Sequence, residues 1–195
     1  MTAIVQDDVD EKRRRVLLIA TAAAGAALGG ATAVPFLASW LPSARALAAG
    51  APVDADISRI EPGQQVTFEW RGKPVWVLRR TPEMLDQLPK HDGVLVDPQS
   101  NDSDQPAYAK NPTRSIKPEV LVAVGVCTHL GCSPTLKKEI GAASDMGADW
   151  PGGYYCPCHN SRFDLAARVF KGSPAPKNLV IPPHRYVSDA LVVIG

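Results

Sequence analysis

The chain has no charge excess: 21 basic side chains stand against 20 acidic ones over 195 residues. Such a balance offers nothing to a phosphate backbone, so nucleic-acid binding has no electrostatic support. No internal repeat is apparent, which sets aside solenoids and propellers. Cysteine is scarce, and all four copies fall in two short boxes. Charge is missing altogether from Val16 to Ala44. That gap exceeds the roughly 20 residues needed to cross a bilayer core of about 30 Å.

What is abundant points to strands and loops. Eighteen prolines and fifteen glycines fit a loop-rich β protein better than a helical one. Length allows one domain of ordinary size plus an appendage.

The boxes read Cys127-Thr128-His129-Leu130-Gly131-Cys132 and Cys156-Pro157-Cys158-His159-Asn160-Ser161. Each offers one cysteine and one histidine as metal ligands and leaves one cysteine over. A two-iron cluster with thiolates on one iron and imidazoles on the other uses such a set. Two plainer readings compete at this point. A tetrahedral structural zinc accepts the same ligands, and four cysteines in an oxidising compartment can form two disulfides. Neither accounts for both histidines at ligand spacing together with two spare cysteines.

The charge-free run is only mildly apolar, being rich in alanine and glycine. Lys12-Arg13-Arg14-Arg15 precedes it, so the positive-inside rule keeps residues 1–15 cytoplasmic and puts the C-terminal domain outside. Arg13-Arg14-Arg15-Val16-Leu17 also fits a twin-arginine export signal. Residues 16–41 are read as an uncleaved transmembrane signal-anchor, although Ala46-Leu47-Ala48 looks like a signal-peptidase site. Gly25-Ala26-Ala27-Leu28-Gly29 has the small-residue spacing that lets another helix approach, and Pro35 is expected to kink the outer third. Residues 42–55 lack a strand pattern and read as a linker.

A mainly β domain is expected over 56–195. Val66–Trp70 and Pro74–Arg79 read as strands around an Arg71-Gly72 turn. Pro82–Leu88 reads as a short helix capped by Thr81, and Asp97–Pro112 as a polar surface loop. Leu121–Val126 delivers the first box, Tyr154-Tyr155 enters the second, and Arg168–Phe170 leaves it. Leu179–Ile181 and Tyr186–Ile194 supply closing strands. Both boxes therefore sit in loops, as two hairpin-like fingers. Twenty-six residues lie between His129 and Cys156, and the stretch 137–153 receives no role. His91 and His184 lie outside the boxes and read as ordinary surface or core histidines.

C-x-H-x-x-C followed by C-x-C-H-x-S resembles the Rieske iron–sulfur proteins, and CTHLGC with CPCH resembles their quinol-oxidising branch, the subunits of bacterial cytochrome bc1 complexes. The resemblance implies an antiparallel Rieske β domain with a two-loop cluster-binding part at about 127–176, and one 2Fe-2S cluster. Its ligands would be Cys127, His129, Cys156 and His159, with a Cys132–Cys158 disulfide. It further implies a flexible tether over 42–55, Leu130 in an apolar docking tip, and a Ser161 hydroxyl on a bridging sulfide. Gly172–Pro176 resembles the proline loop that covers the cluster. His159 would contact quinol and accept its proton. The partners implied are ubiquinol, cytochrome b and cytochrome c1, in a membrane-bound, dimeric complex of the inner membrane with the head in the periplasm. The activity implied is quinol–cytochrome c reduction, performed by the complex. Arsenite oxidase, another periplasmic oxidoreductase with a Rieske subunit, is the alternative within electron transfer. A zinc- or disulfide-stabilised binding domain is the alternative outside it. Two positions depart from the common pattern: Phe163 replaces a tyrosine that would donate to the Cys127 sulfur, and Asn160 replaces a glycine. Asparagine tolerates the left-handed region, so the turn is expected to survive.

Overall fold

The computed structural model describes residues 10–195, so the first nine residues of the proposed cytoplasmic segment lie outside the described part. The chain divides into two compact units, one ending at Leu47 and the other running from Ala48 to Gly195.

In the first unit, α1 spans Glu11–Ala38 and is capped by Asp10, whose carboxylate accepts from the backbone N–H of Lys12 and Arg13. Alanine and leucine favour the helical state, and at 1.5 Å per residue 28 residues reach about 42 Å. None of its residues is buried among the described residues. Pro35 does not interrupt α1; it sits in the last turn, and the helix ends at Ala38. The stretch 42–55 is more structured than its composition suggests. It holds a short helix, α2 (Ala44–Ala49), and most of strand β1 (Val53–Asp56).

The second unit is built from three antiparallel three-stranded sheets. One pairs β1 with β9 (Leu191–Ile194) and β9 with β8 (His184–Ser188). The stretch expected as one strand over Tyr186–Ile194 is thus a hairpin, with an irregularity between Tyr186 and Ser188. A second sheet joins β2 (Gln65–Trp70), β3 (Lys73–Arg79) and β4 (Val120–Val124). Arg71 and Gly72 both have positive φ, 52° and 69°, as a two-residue hairpin turn requires. The third sheet joins β5 (Thr135–Lys137), β6 (Gly153–Cys156) and β7 (Ser161–Phe163).

In the middle sheet β3 and β4 are buried on both faces, and their alternation sorts two cores. Val75, Val77, Val120, Val122 and Val124 pack with Ala55, Val192 and Ile194. Trp76, Leu78, Leu121 and Ala123 point the other way and pack with Cys127, Tyr154, Cys156 and Phe163. The period-2 geometry of a strand makes one sheet serve both layers. The second core is the floor of the two boxes.

The helix after β3 is α3 (Pro82–Gln87), and the Thr81 hydroxyl accepts from Met84 N–H as a cap. Three other expectations need correction. Asp97–Pro112 is not a plain surface loop. Asp97, Ser100 and Ser103 are buried, and the Asp97 carboxylate accepts from Asn101 N–H, Asp102 N–H and the Ser103 hydroxyl. Leu179–Ile181 forms no strand. Pro182 and Pro183 follow at once and have no N–H to donate, so single bonds hold it: Leu179 N–H to Ala167 O, Val124 N–H to Val180 O and Ile181 N–H to Asp104 O. The segment leaving the second box is β7, while Val169 and Phe170 make only isolated bridges, to Phe163 and Leu95.

Candidate iron–sulfur site

The first box leaves the end of β4. Gly125 lets it do so, because a Cβ there would lie 2.3 Å from the Trp76 ring. The turn then closes on itself, with Cys127 N–H donating to Cys132 O and Gly131 N–H to Cys127 O. Gly131 has φ 86°. The second box is the loop of the β6–β7 hairpin, closed by Asn160 N–H to Cys156 O. Asn160 takes φ 64°, so the expected left-handed turn is kept.

A Cys132–Cys158 disulfide joins the fingers, with Cα atoms 6.6 Å apart. Cys127 and Cys156 remain free and buried, which removes the two-disulfide reading. The His129 and His159 rings meet edge to face, with centroids 4.7 Å apart. His129 Nδ1 is buried and has no hydrogen-bond partner. An orphaned ring nitrogen beside two free buried thiols and a second imidazole fits a metal-holding set, since such groups otherwise cost free energy. Burial pushes the Cys127 thiol up, opposed by hydrogen bonds from the His129 backbone and the Ser161 side chain. The sulfurs of Cys132, Cys156 and Cys158 also lie within 4.8 Å of one another. Two of them are consumed by the disulfide, so that trio reports its closeness to Cys156.

A third segment covers the fingers. Ser161 Oγ accepts from Ala175 N–H at 3.0 Å, and Thr128 Oγ1 donates to Lys177 O at 2.6 Å. The Pro174-Ala175-Pro176 loop is therefore fastened to both boxes. Ser161 and Phe163 are fully buried. Leu130, by contrast, is 72% exposed at the finger tip, an apolar side chain without a partner. His184 is buried beside Tyr108 and His91 half-buried against Phe170, both away from the boxes.

Sequence reasoning missed the support behind the second finger. Arg80, Arg114 and Arg168 are buried. Arg80 donates to Leu165 O, and Arg114 to Ala166 O and Ala167 O. Arg168 donates to Asp164 Oδ2, Asp92 Oδ1 and Leu88 O. Together they hold the turn that follows Phe163. Desolvation lowers Arg80 and Arg114 to about 10, so both stay charged at neutral pH. Only the i,i+4 spacing of Asp164 and Arg168 hinted at this. The insertion between the boxes is folded back on itself, with buried Trp150 donating to Lys137 O and Lys137 paired to Asp145.

Residues 51–183 match the Rieske [2Fe-2S] domain family. Residues 5–43 match the family described as the ubiquitinol-cytochrome C reductase Fe-S subunit TAT signal. The chain is 63% identical over 171 residues to the ubiquinol-cytochrome c reductase iron-sulfur subunit of Allochromatium vinosum, covering 88% of this chain and 82% of that one. It is 40% identical to the subunit of that name from Bradyrhizobium diazoefficiens, covering 87% of each. Among solved structures it is similar to a chain of a hyperthermophilic respiratory Complex III (25% identity, 89% and 97% coverage, TM-score 0.46). A Rieske [2Fe-2S] domain implies one such cluster, which sets the zinc reading aside. This chain belongs to the Rieske iron–sulfur proteins, in the family of ubiquinol–cytochrome c reductase iron–sulfur subunits.

Proposed function

We propose that this chain is the one-electron relay of a cytochrome bc1 complex, taking an electron from ubiquinol and giving it to the c-type haem of cytochrome c1. The observation that carries the reading is the pairing of two free buried thiols with two edge-to-face imidazoles on disulfide-joined fingers. The relatives named as ubiquinol-cytochrome c reductase subunits favour this complex over arsenite oxidase. Cys127 and Cys156 would hold one iron, and His129 and His159 the other. Neutral imidazoles in place of thiolates make a 2Fe-2S centre less negative and set its potential at about −150 to +300 mV, a range whose upper part is high enough to oxidise a quinol. His159 is exposed, which suits it to meet the quinol and take its proton on the ring nitrogen turned away from the metal. Leu130 supplies apolar surface for docking on cytochrome b.

The same proposal covers placement. Lys12 to Arg15, at the start of α1, keep the N-terminus cytoplasmic, the rest of α1 stays as an anchor, and the head lies in the periplasm. The segment 42–55 is the tether, even though part of it is ordered. A mature N-terminus near Ala49 in purified membranes would overturn the anchor.

The deciding experiment is EPR of reduced membranes with and without a quinol-site inhibitor. A nitrogen-ligated two-iron signal that shifts with the inhibitor, in membranes whose b and c haems co-purify with this chain, is the expected result. A signal indifferent to the inhibitor, or no b haem in the complex, would sink the reading.

A further inference from the structure

Within the second finger, the loop Pro157–Asn160 carries His159 between two neighbours that are each tied down. Cys158 is held by the disulfide to Cys132. Asn160 is held by its side chain, because the Tyr155 hydroxyl donates to Asn160 Oδ1 at 2.5 Å. The His159 ring meets the His129 ring edge to face, with centroids 4.7 Å apart. As an iron ligand His159 would be held at one ring nitrogen, and the backbone on either side would set how the ring turns about that bond.

That backbone is under tension on one side. Asn160 sits at φ 64°, a left-handed region that asparagine tolerates better than most L-residues but less freely than glycine. Rotating the peptide between His159 and Asn160 would relieve the strain and would carry the imidazole with it. The Asn160 N–H bond to Cys156 O resists this from inside the loop. The Tyr155 hydroxyl resists it from β6, a strand pinned on both edges by Thr135 and Arg162.

We propose that Tyr155 is a positioning residue for quinol oxidation: through Asn160 it holds the strained turn that aims the His159 imidazole. This rests on the reading of His159 as the quinol-facing histidine. Tyr155 does not touch the reacting atoms; it keeps His159 in one ring orientation. A glycine at position 160 would need no such strut, because glycine takes positive φ without strain.

The test uses membranes carrying the whole complex with the full chain, as the parent, Tyr155→Phe, Asn160→Gly and the double variant. Tyr155→Phe keeps the ring that packs in the sheet and removes only the hydroxyl. With the competent orientation less populated, the KM for quinol should rise about two- to tenfold, the span of one ordinary hydrogen bond. The turnover rate at saturating quinol should change less, and the EPR lines of the reduced two-iron centre should broaden. Added to Asn160→Gly, Tyr155→Phe should have no further effect on either readout, because its only route runs through Asn160. Equal effects of Tyr155→Phe in both backgrounds would overturn the proposal. So would a lower melting temperature with unchanged KM and EPR lines, the mark of a merely structural bond. If the parent itself gives no inhibitor-sensitive nitrogen-ligated signal, the functional reading falls too. A normal parent with an unaffected Tyr155→Phe variant sinks the positioning role alone.

Discussion

Ser161 and Ala175 are joined by a hydrogen bond in which the serine hydroxyl oxygen accepts from the alanine N–H, 3.0 Å apart. The bond uses the oxygen of a completely buried hydroxyl and leaves its proton free to point elsewhere. The Cys127 sulfur is the neighbour that this side chain stabilises in its anionic form. One residue thus fastens the covering loop and faces the cluster side of the site.

Ser161→Ala should remove both contacts. A hydrogen bond to a charged acceptor is worth about 1.5–3 kcal/mol, and 59 mV corresponds to a factor of ten for one electron. The midpoint potential is therefore expected to fall by roughly 60–130 mV, with the centre still assembled. Redox titration followed by EPR measures it, and an unchanged potential would show that the proton points away from sulfur.

Phe163→Tyr is the opposite change. Phe163 is completely buried in the same core cluster as Cys127. A hydroxyl donated toward that sulfur favours the more negative, reduced centre, so the potential should rise by roughly 30–60 mV for a bond of about 0.7–1.5 kcal/mol. No rise would mean that the phenol finds another partner or that the core cannot admit the extra oxygen.

The disulfide makes a third expectation. Cys132 and Cys158 are 26 residues apart, and closing such a loop contributes about 3–4 kcal/mol by chain entropy. Cys132→Ser or Cys158→Ser should leave the two short fingers without their covalent link. Loss of the two-iron signal, or a lowered and broadened one, is expected in membranes. A normal signal and potential in either variant would count against a structural role.

How far the sequence announced this architecture depended on how local each cause was. The β2–β3 hairpin was legible because alternation and the Arg71-Gly72 turn act within a few residues. Thr81 could be read as a cap for the same reason. The Cys132–Cys158 pairing came only with the family resemblance, since four cysteines alone permit three connectivities. Asp97 looked like loop polarity: the donors to its carboxylate are local, Asn101, Asp102 and Ser103, but Asn178, which donates to Asp97 O, and the charge of Arg114 come from farther along the chain. Arg80 and Arg114 gave no signal, because arginine is normally a surface residue and the turn carbonyls they reach at Leu165, Ala166 and Ala167 lie more than fifty residues away. Leu179–Ile181 has the composition of a strand, but Pro182 and Pro183 follow it and cannot donate to a ladder.

Ala167 offers a stability test independent of the cluster. Its φ is 60° and its side chain is fully buried, so it bears left-handed strain without the local side-chain hydrogen bonds that help asparagine. Ala167→Gly relieves about 1–2 kcal/mol of strain and gives back about 0.4–1 kcal/mol through greater freedom of the unfolded chain. A net gain near 0.5 kcal/mol is expected, seen as a rise of about 1–2 °C in Tm for a protein of this size. A fall in Tm on thermal unfolding of the full chain would show that the methyl packs better than the turn is strained.

The last test separates charge from packing in the loop over the second core. Burial alone would raise the Asp97 carboxyl, but hydrogen bonds from Ser103, Asn101 and Asp102 and the Arg114 charge outweigh it, and the net shift is downward. A folded-state pKa below the unfolded value of about 3.9 means that the folded state binds fewer protons. The carboxylate therefore contributes stability above that pH, and the contribution is lost as pH falls through the folded pKa. Asp97→Asn should destabilise the head at pH 7, by about 1–3 kcal/mol for hydrogen bonds made to a charged group. Denaturant unfolding of parent and variant at pH 7 and at about pH 3 should show the gap narrowing in acid. A gap that is the same at both pH values would assign the loss to shape and hydrogen-bond geometry, with the charge contributing nothing.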